Sequence, residues 1–521
     1  MEGRTGKGEK LELLTTGLDL NVLVGEAVRR TFFFKEIPVN EEPAWKGGRP
    51  YPLGDVAAWI VHQEARIDEK DRVLVQGRVA GKTTFFGVHG PKEIPLEEED
   101  FRLGLEIPGV LPGMQVHAHG RVTYAFEDGA PLQSEAQVLY RLKVELEILV
   151  AVTDPQQLEV AVGVKDLPAE RVTRDLLVME ELLAEQAESI SLSREVEFEE
   201  ELSYLKVLSC RLRNISWELN KEQILVKGEL ETVLFYLAGE KSGLLKETQP
   251  FNQQVAFQVP RKEAHLAVFP RVEYAACDLL GRRARQRTYL DLLIRAARTV
   301  QQEVVTDVQG TAVKKEYLAV SRPAAAGKEN VELVQRLAFP YPDEITAGGC
   351  RLLSLGFQLQ EDAVLVEGVL EKNVYYLPRP ERGAESDEPP ELWPLTATVE
   401  EEFSRTMQLP GISPQACAAV YFNMGTTDFA PAEAATLQVS HAALEIKTWE
   451  MQEHQVVVPH RVPPGTSMVV YAVRTGDTLL KIARSYGVKT GTITGANRLD
   501  EDAVLQTGSK LLIPLMFEDH E

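Results

Sequence analysis

Three groups of residues have types and spacings that suggest chemistry. Gln76 to Thr83, QGRVAGKT, ends in the Gly-Lys-Thr of a phosphate-binding loop. That loop needs a glycine five residues before its Gly-Lys so that backbone amides can cradle a phosphate, and Gln76 stands there. ATP binding is therefore not expected. His117 and His119 alternate along one strand face, where two imidazoles can ligate a metal. No third ligand follows at a recognisable spacing, so they read as a partly exposed strand pair. Cys210 and Cys277 are spaced like Cys350 and Cys417, which leaves open either a duplicated intradomain disulfide or buried free thiols. An upstream copy of the same segment has Trp59 and Gln115 at these positions, and a tryptophan there favours a packed apolar site holding thiols. GxSxG, HExxH, CxxC and paired His/Cys constellations are all missing from the sequence. No catalytic residues, metal site or cofactor are expected, and the chain reads as a non-enzyme.

The bulk properties narrow the class. The 521 residues are 44% apolar and 26% charged, as in an ordinary folded protein, and their number predicts about three to five domains. The formal net charge of -23 repels phosphate backbones and anionic lipid, so no nucleic-acid partner is expected. No apolar run approaches the roughly 18 residues of a membrane span, and Met1 to Lys10 has no signal-peptide core. Four cysteines are too sparse for a disulfide scaffold, and a cytosolic location is expected. Glu97 to Asp100, Glu199 to Glu201 and Glu381 to Glu391 read as solvated acidic loops.

A repeat organises the elements. Cys210 to Leu237 aligns with Cys350 to Leu377 without a gap at an offset of 140, with 11 of 28 positions identical. Pro270 then falls on Pro410 and Cys277 on Cys417. A more divergent copy lies upstream. Its RVLVQGRV around Gly77 matches QILVKGEL around Gly228 and AVLVEGVL around Gly368, while Phe101 and Pro108-Gly109 match Phe403 and Pro410-Gly411. The copies are placed at 17–152, 170–305 and 311–457, with residues 153–169 as a linker and 458–468 as a proline-rich tether. Leu142, Val144, Leu146 and Ile148 alternate with Lys143, Glu145 and Glu147, the period of a strand. The fold class expected is mainly β, with three tandem sandwich or open-barrel domains. Leu176 to Glu188 has a pattern compatible with a helix. The glycine common to the LVxG segments marks a bulge or a close backbone approach.

The repeat resembles the SPOCS domain of spore-coat proteins in endospore-forming Firmicutes. The resemblance rests on the VxxEELxAE-like opening at Val178 to Glu185, the LVxG strand, the aromatic pairs Phe235-Tyr236 and Tyr375-Tyr376, and the late Pro-Gly turn. Residues 469–515 read YxVxxGDTLxxIAxxYxV, then Ala-Asn, then a closing Leu-x-Ile-Pro, and resemble a LysM module, a small α+β (βααβ) unit. Tyr471 and Val473 alternate as a strand, and Asp477 or Thr478 can cap the helix that follows. Leu479, Ile482, Ala483 and Tyr486 share one face of that helix, and Gly487 ends it. Gly491 and Gly495 weaken the second helix. By resemblance, the groove that binds a glycan or another partner is lined by Gly476, Asp477, Thr478, Leu479, Asn497, Leu499, Val504 and Leu505. Six Lys/Arg against four Asp/Glu make the module weakly basic on an acidic chain, which suits an acidic partner or an ordinary mixed surface.

Three SPOCS-like copies followed by one LysM resemble the clostridial family of coat-morphogenesis proteins. The resemblance implies a protein of the mother-cell cytoplasm at the forespore surface. There it would act as a non-enzymatic scaffold of spore-coat assembly, docking through LysM onto the coat basement-layer morphogenetic ATPase. The alternative is a binder of peptidoglycan, a polymer containing N-acetylglucosamine, in cortex or cell wall. The single LysM copy provides no avidity for a glycan, which favours the protein partner.

Overall fold

The computed structural model describes residues 12–514 apart from 40–44, 47–48, 51–52, 89, 128–131, 134–137, 221–222, 240, 259–263, 310–312, 314, 338–344, 377–394, 433–434, 459–467, 474–476, 487, 501–502 and 507–508. Glu381 to Glu391 therefore lies outside the described residues. Setting aside two ladders of two-residue strands, three stretches of chain form the same six-strand unit. The first contains β1 (Leu13–Val39), β2 (Val56–Glu69), β3 (Arg72–Gly87), β4 (Gly90–Glu106), β5 (Gln115–Glu127) and β6 (Val138–Val164). The second contains β7 (Val172–Glu197), β8 (Leu202–Asn220), β9 (Gln223–Ala238), β10 (Lys241–Ala256), β11 (His265–Leu280) and β12 (Arg283–Val308). The third contains β13 (Lys315–Leu337), β14 (Ile345–Gln360), β15 (Ala363–Tyr376), β16 (Leu395–Gln408), β17 (Cys417–Ala432) and β18 (Ala435–Val457). In each unit strands two, three and four form an antiparallel meander, and strand six lies between strands one and five.

The two sheets of a unit pack face to face because the alternation buries one side of each. In the first unit Val73 and Val75 of β3 meet Leu146 and Ile148 of β6, all buried. Val226 with Leu292 and Val366 with Leu444 repeat the arrangement in the second and third. The glycine of each LVxG strand sits opposite a phenylalanine of the fourth strand: Gly77 with Phe101, Gly228 with Phe251, Gly368 with Phe403. The ring lies over the bare backbone, and a Cβ on Gly368 would stand 2.6 Å from the Phe403 ring. The expected close backbone approach is thus formed by a cross-strand aromatic. The late Pro-Gly turns are held by aspartates in left-handed conformation. Asp71 (φ 62°) and Asp362 (φ 58°) accept from the amides of Gly109 and Gly411 at 2.6 Å.

These registers correct one alignment. Between the second and third units the offset is 140 at Gly228/Gly368 but 152 at Phe251/Phe403. Cys277 consequently lies near the end of β11, whereas Cys417 opens β17, and the two are not equivalent. Cys210 and Cys350 do correspond, facing Thr232 and Lys372 across their ladders. All four thiols are free, and burial raises them, Cys210 and Cys350 to about 11.

The first strand of each unit carries a bulge: after Leu23 in β1, after Leu182 in β7 and after Pro323 in β13. A bulge bends a strand and lets it serve two cores. Before the bend, Leu18, Leu20 and Val22 meet Leu177 and Met179, Leu318 and Val320, and the ends of the sixth strands at Val160, Val304 and Val456. Three ribbons, one per unit, thus share a central core. Two expectations fail here for that reason. Residues 153–164 are the end of β6, with Val160 and Ala161 fully buried, and not a linker. Pro155 is tolerated because β5 begins only at Gln115, opposite Thr153, leaving β6 beyond that point paired on one side. Residues 176–188 are strand, not helix, because Leu177 and Met179 must point the same way into the centre.

Buried charges close the junction. Glu26 of β1 meets Arg295 of β12 at 2.8 Å, Lys447 of β18 at 3.5 Å and the hydroxyl of Tyr421 of β17 at 3.0 Å. Glu147 meets Arg30 at 2.6 Å, Arg121 at 2.5 Å and Arg271 of the second unit at 3.4 Å. Burial pushes the Glu147 carboxyl up, but Arg271, Arg30 and Arg121 outweigh it and hold it well below the usual carboxylate range.

Two predictions follow from these contacts. Gly228→Val and Gly368→Val should each lower the thermal unfolding midpoint, at an overpacking cost of about 1–3 kcal/mol. Glu147→Gln should destabilise by about 3–5 kcal/mol at pH 7, because it strands buried arginines. The depressed carboxylate contributes stability above its unfolded value near about 4.3 and loses it as pH falls through the lower folded value. Unfolding midpoints against pH should therefore show a shallower acid limb for the variant than for the parent chain.

Candidate functional site

The catalytic and ligand candidates are absorbed by the fold. Gln76 to Thr83 lies within β3, where Lys82 pairs with Glu93 at 2.6 Å, and not at a strand-to-helix loop. His119 Nε2 contacts Asp291 at 2.9 Å and His117 Nε2 contacts Thr153 Oγ1 at 3.0 Å. Burial lowers the His117 pKa. Among the described residues no three His, Cys, Asp or Glu side chains gather to hold a metal ion. Glu97 to Asp100 is part of β4 and not a loop: Glu98 and Asp100 both pair with Arg78, and Glu99 with Lys35. Cross-strand cations draw this acidic run into the ladder. Glu199 to Glu201 does lie between strands.

The C-terminal module contains β19 (Met468–Ala472), α1 (Leu479–Tyr486), α2 (Thr490–Asn497) and β20 (Lys510–Pro514). The two strands pair antiparallel, Tyr471 with Leu511 and Val469 with Ile513. Those inward residues pack with Val473, Leu479, Ile482, Ala483 and Ile493 into a separate small core. Thr478 is the cap of α1: its Oγ1 accepts from the Lys481 amide at 3.2 Å and its carbonyl from the Ile482 amide at 3.0 Å. Asp477 instead accepts from the Tyr471 hydroxyl at 2.7 Å, tying the loop back to β19. The second helix forms despite its glycines, and Arg498 ends it in left-handed conformation (φ 55°).

Of the eight residues expected to line a groove, the seven that the structure describes differ widely in exposure. Gly476 lies outside the described residues. Leu479 is only 7% exposed and belongs to the module core, and Leu499 and Leu505 are half-buried against it. Asn497 is a clasp: its amide nitrogen donates to the carbonyls of Ile493 at 2.8 Å and Leu512 at 2.6 Å, and its oxygen accepts from the Leu512 amide at 2.8 Å. Asp477 and Thr478 hold the loop, and Val504 alone is fully presented, at 94% exposure. A polar residue placed to line a groove can also hold the fold together, as Asn497 does here. A surface not anticipated is the outer side of the two-stranded sheet, where Met468, Val470 and Leu512 are exposed and Val470 pairs with Leu512. Alternation outward from Val469 and Ile513 marks it in the sequence.

Three six-strand β units and a βααβ module define a mainly β architecture with a small C-terminal α+β unit. The module is the part that can be assigned: residues 471–514 match the family model of the LysM domain. LysM domains suggest binding of peptidoglycan or a related glycan. No curated protein matches the chain, and no solved structure matches it. Among the described residues no helix is long and apolar enough to cross a membrane.

Asn497→Ala should free β20, at about 1–3 kcal/mol for the groups left unpaired, read as faster amide exchange at Leu512. Gly491→Ala and Gly495→Ala should stabilise the module by about 0.5–1 kcal/mol each, since a Cβ at either position meets nothing within 4 Å. Heat-induced loss of helical signal from the full chain would measure both.

Proposed function

We propose that the protein is a non-enzymatic scaffold of spore-coat assembly, located in the mother-cell cytoplasm at the forespore surface. Its three SPOCS-like units form the frame, and its LysM module docks a protein partner, the coat basement-layer morphogenetic ATPase. The observation that carries this reading is what the three units have in common. Their matching positions are glycines, stacked phenylalanines and buried aliphatics, which build a frame and do no acid–base work. The order of three such units followed by one LysM supports the coat setting through the resemblance of the sequence alone. The exposed apolar strip Met468, Val470 and Leu512 suits a protein partner, because water-exposed aliphatics on a small module gain by being covered.

A second reading, glycan binding in cortex or wall, is favoured by the family match of the module. The two readings separate experimentally. Val470→Asp alters the strip without touching the module core, so its melting behaviour should match the parent. Under the protein-docking reading it loses co-purification of the ATPase from sporulating cells by about tenfold or more. Firm sedimentation of the parent chain with purified peptidoglycan, with no ATPase co-purifying, would defeat that reading in favour of the glycan. Leu479→Ala is unsuited to either test, since it would cost about 2–5 kcal/mol in the core.

A further inference from the structure

Thr478 of the module, at the start of α1, is seated on the frame. In the first unit, the turn between β4 and β5 brings Gly113 (φ 102°) against it. A Cβ at Gly113 would stand 3.0 Å from Thr478 Oγ1 and 3.1 Å from its two carbons. Next along α1, Leu480 turns away from the module's own core and packs on the core of the first unit, which includes Val110 and Met114. The start of α2 is held by the third unit. Lys489 Nζ lies 4.8 Å from the centre of the Tyr317 ring and 3.9 Å from Glu453. The apolar strip on the outer sheet remains exposed, while Thr478 and Leu480 on this side are half-buried.

We infer that the frame masks the module's glycan-facing loop, so that the intact chain takes up an N-acetylglucosamine polymer only after the module lifts from its seat between the first and third units. This rests on the glycan-binding reading of the LysM module. A site open in a small fraction of molecules binds with an affinity reduced by that fraction. Loosening the seat should therefore strengthen glycan binding without any change to the loop.

The test uses the full chain and leaves Asp477 and Thr478 untouched. One variant, Leu480→Lys, removes the apolar contact from the module side. The other, Tyr317→Ala with Glu453→Lys, removes the hold on Lys489 from the frame side. Amide exchange over 107–114 and 477–486 reports the seat, and calorimetric titration with a soluble chitin oligosaccharide reports the site. Both variants should exchange faster in these two segments and bind the oligosaccharide about tenfold or more tighter than the parent. Unchanged exchange in both variants would overturn the seat. Faster exchange with parent and variants binding the sugar equally would overturn the masking. Faster exchange with no binding by any of them would overturn the glycan reading of the module while the seat itself stands.

Discussion

One carboxylate is shared by three units. Glu26 is nearly inaccessible to water, and its oxygens meet a guanidinium from the second unit and an ammonium and a phenol from the third. A buried charge is tolerable only when its partners are in place. The conformation of each unit at the junction is therefore conditional on the other two. Burial alone would push Glu26 up, yet Lys447 and Arg295 bring it below its usual range, so the site favours the charged and paired state. The bulges and the central aliphatic core put the strands where this pairing can occur. The charge pattern in turn fixes which faces meet, as a nonpolar core alone would not.

This explains why the repeat was legible and its assembly was not. The duplication, the LVxG strand and the module's βααβ pattern could be read directly, because each is set by short-range spacing. Glu145 and Glu147, alternating with buried aliphatics on β6, look in sequence like an outward face. They do face outward from their own sandwich, but onto Arg351 of the third unit and Arg271 of the second. The opening motif of the second unit behaves likewise: Glu180 contacts His265 and Trp449, Glu181 pairs with Arg298 and Glu185 with Arg295. No local rule distinguishes a solvated glutamate from one awaiting an arginine a hundred residues away.

The surroundings of the expected groove residues were hidden for a related reason. Family spacing points to the loop before α1 and the end of α2. It did not reveal that Asn497 spends its hydrogen bonds on Ile493 and β20, or that Thr478 lies against a turn of the first unit. The strand reading of residues 153–164 was hidden by Pro155, which looks like a breaker until one side of β6 is known to be unpaired. Local composition reports what a residue prefers, and tertiary context decides which preference is exercised.

The ends of each unit lie at the centre, joined by the few residues between Val164 and Val172 and between Val308 and Lys315. The shared core and the buried Glu26 contacts tie the sandwiches together at this hub. Displacing one sandwich would break hub contacts made by the other two, so the separations among all three are set together.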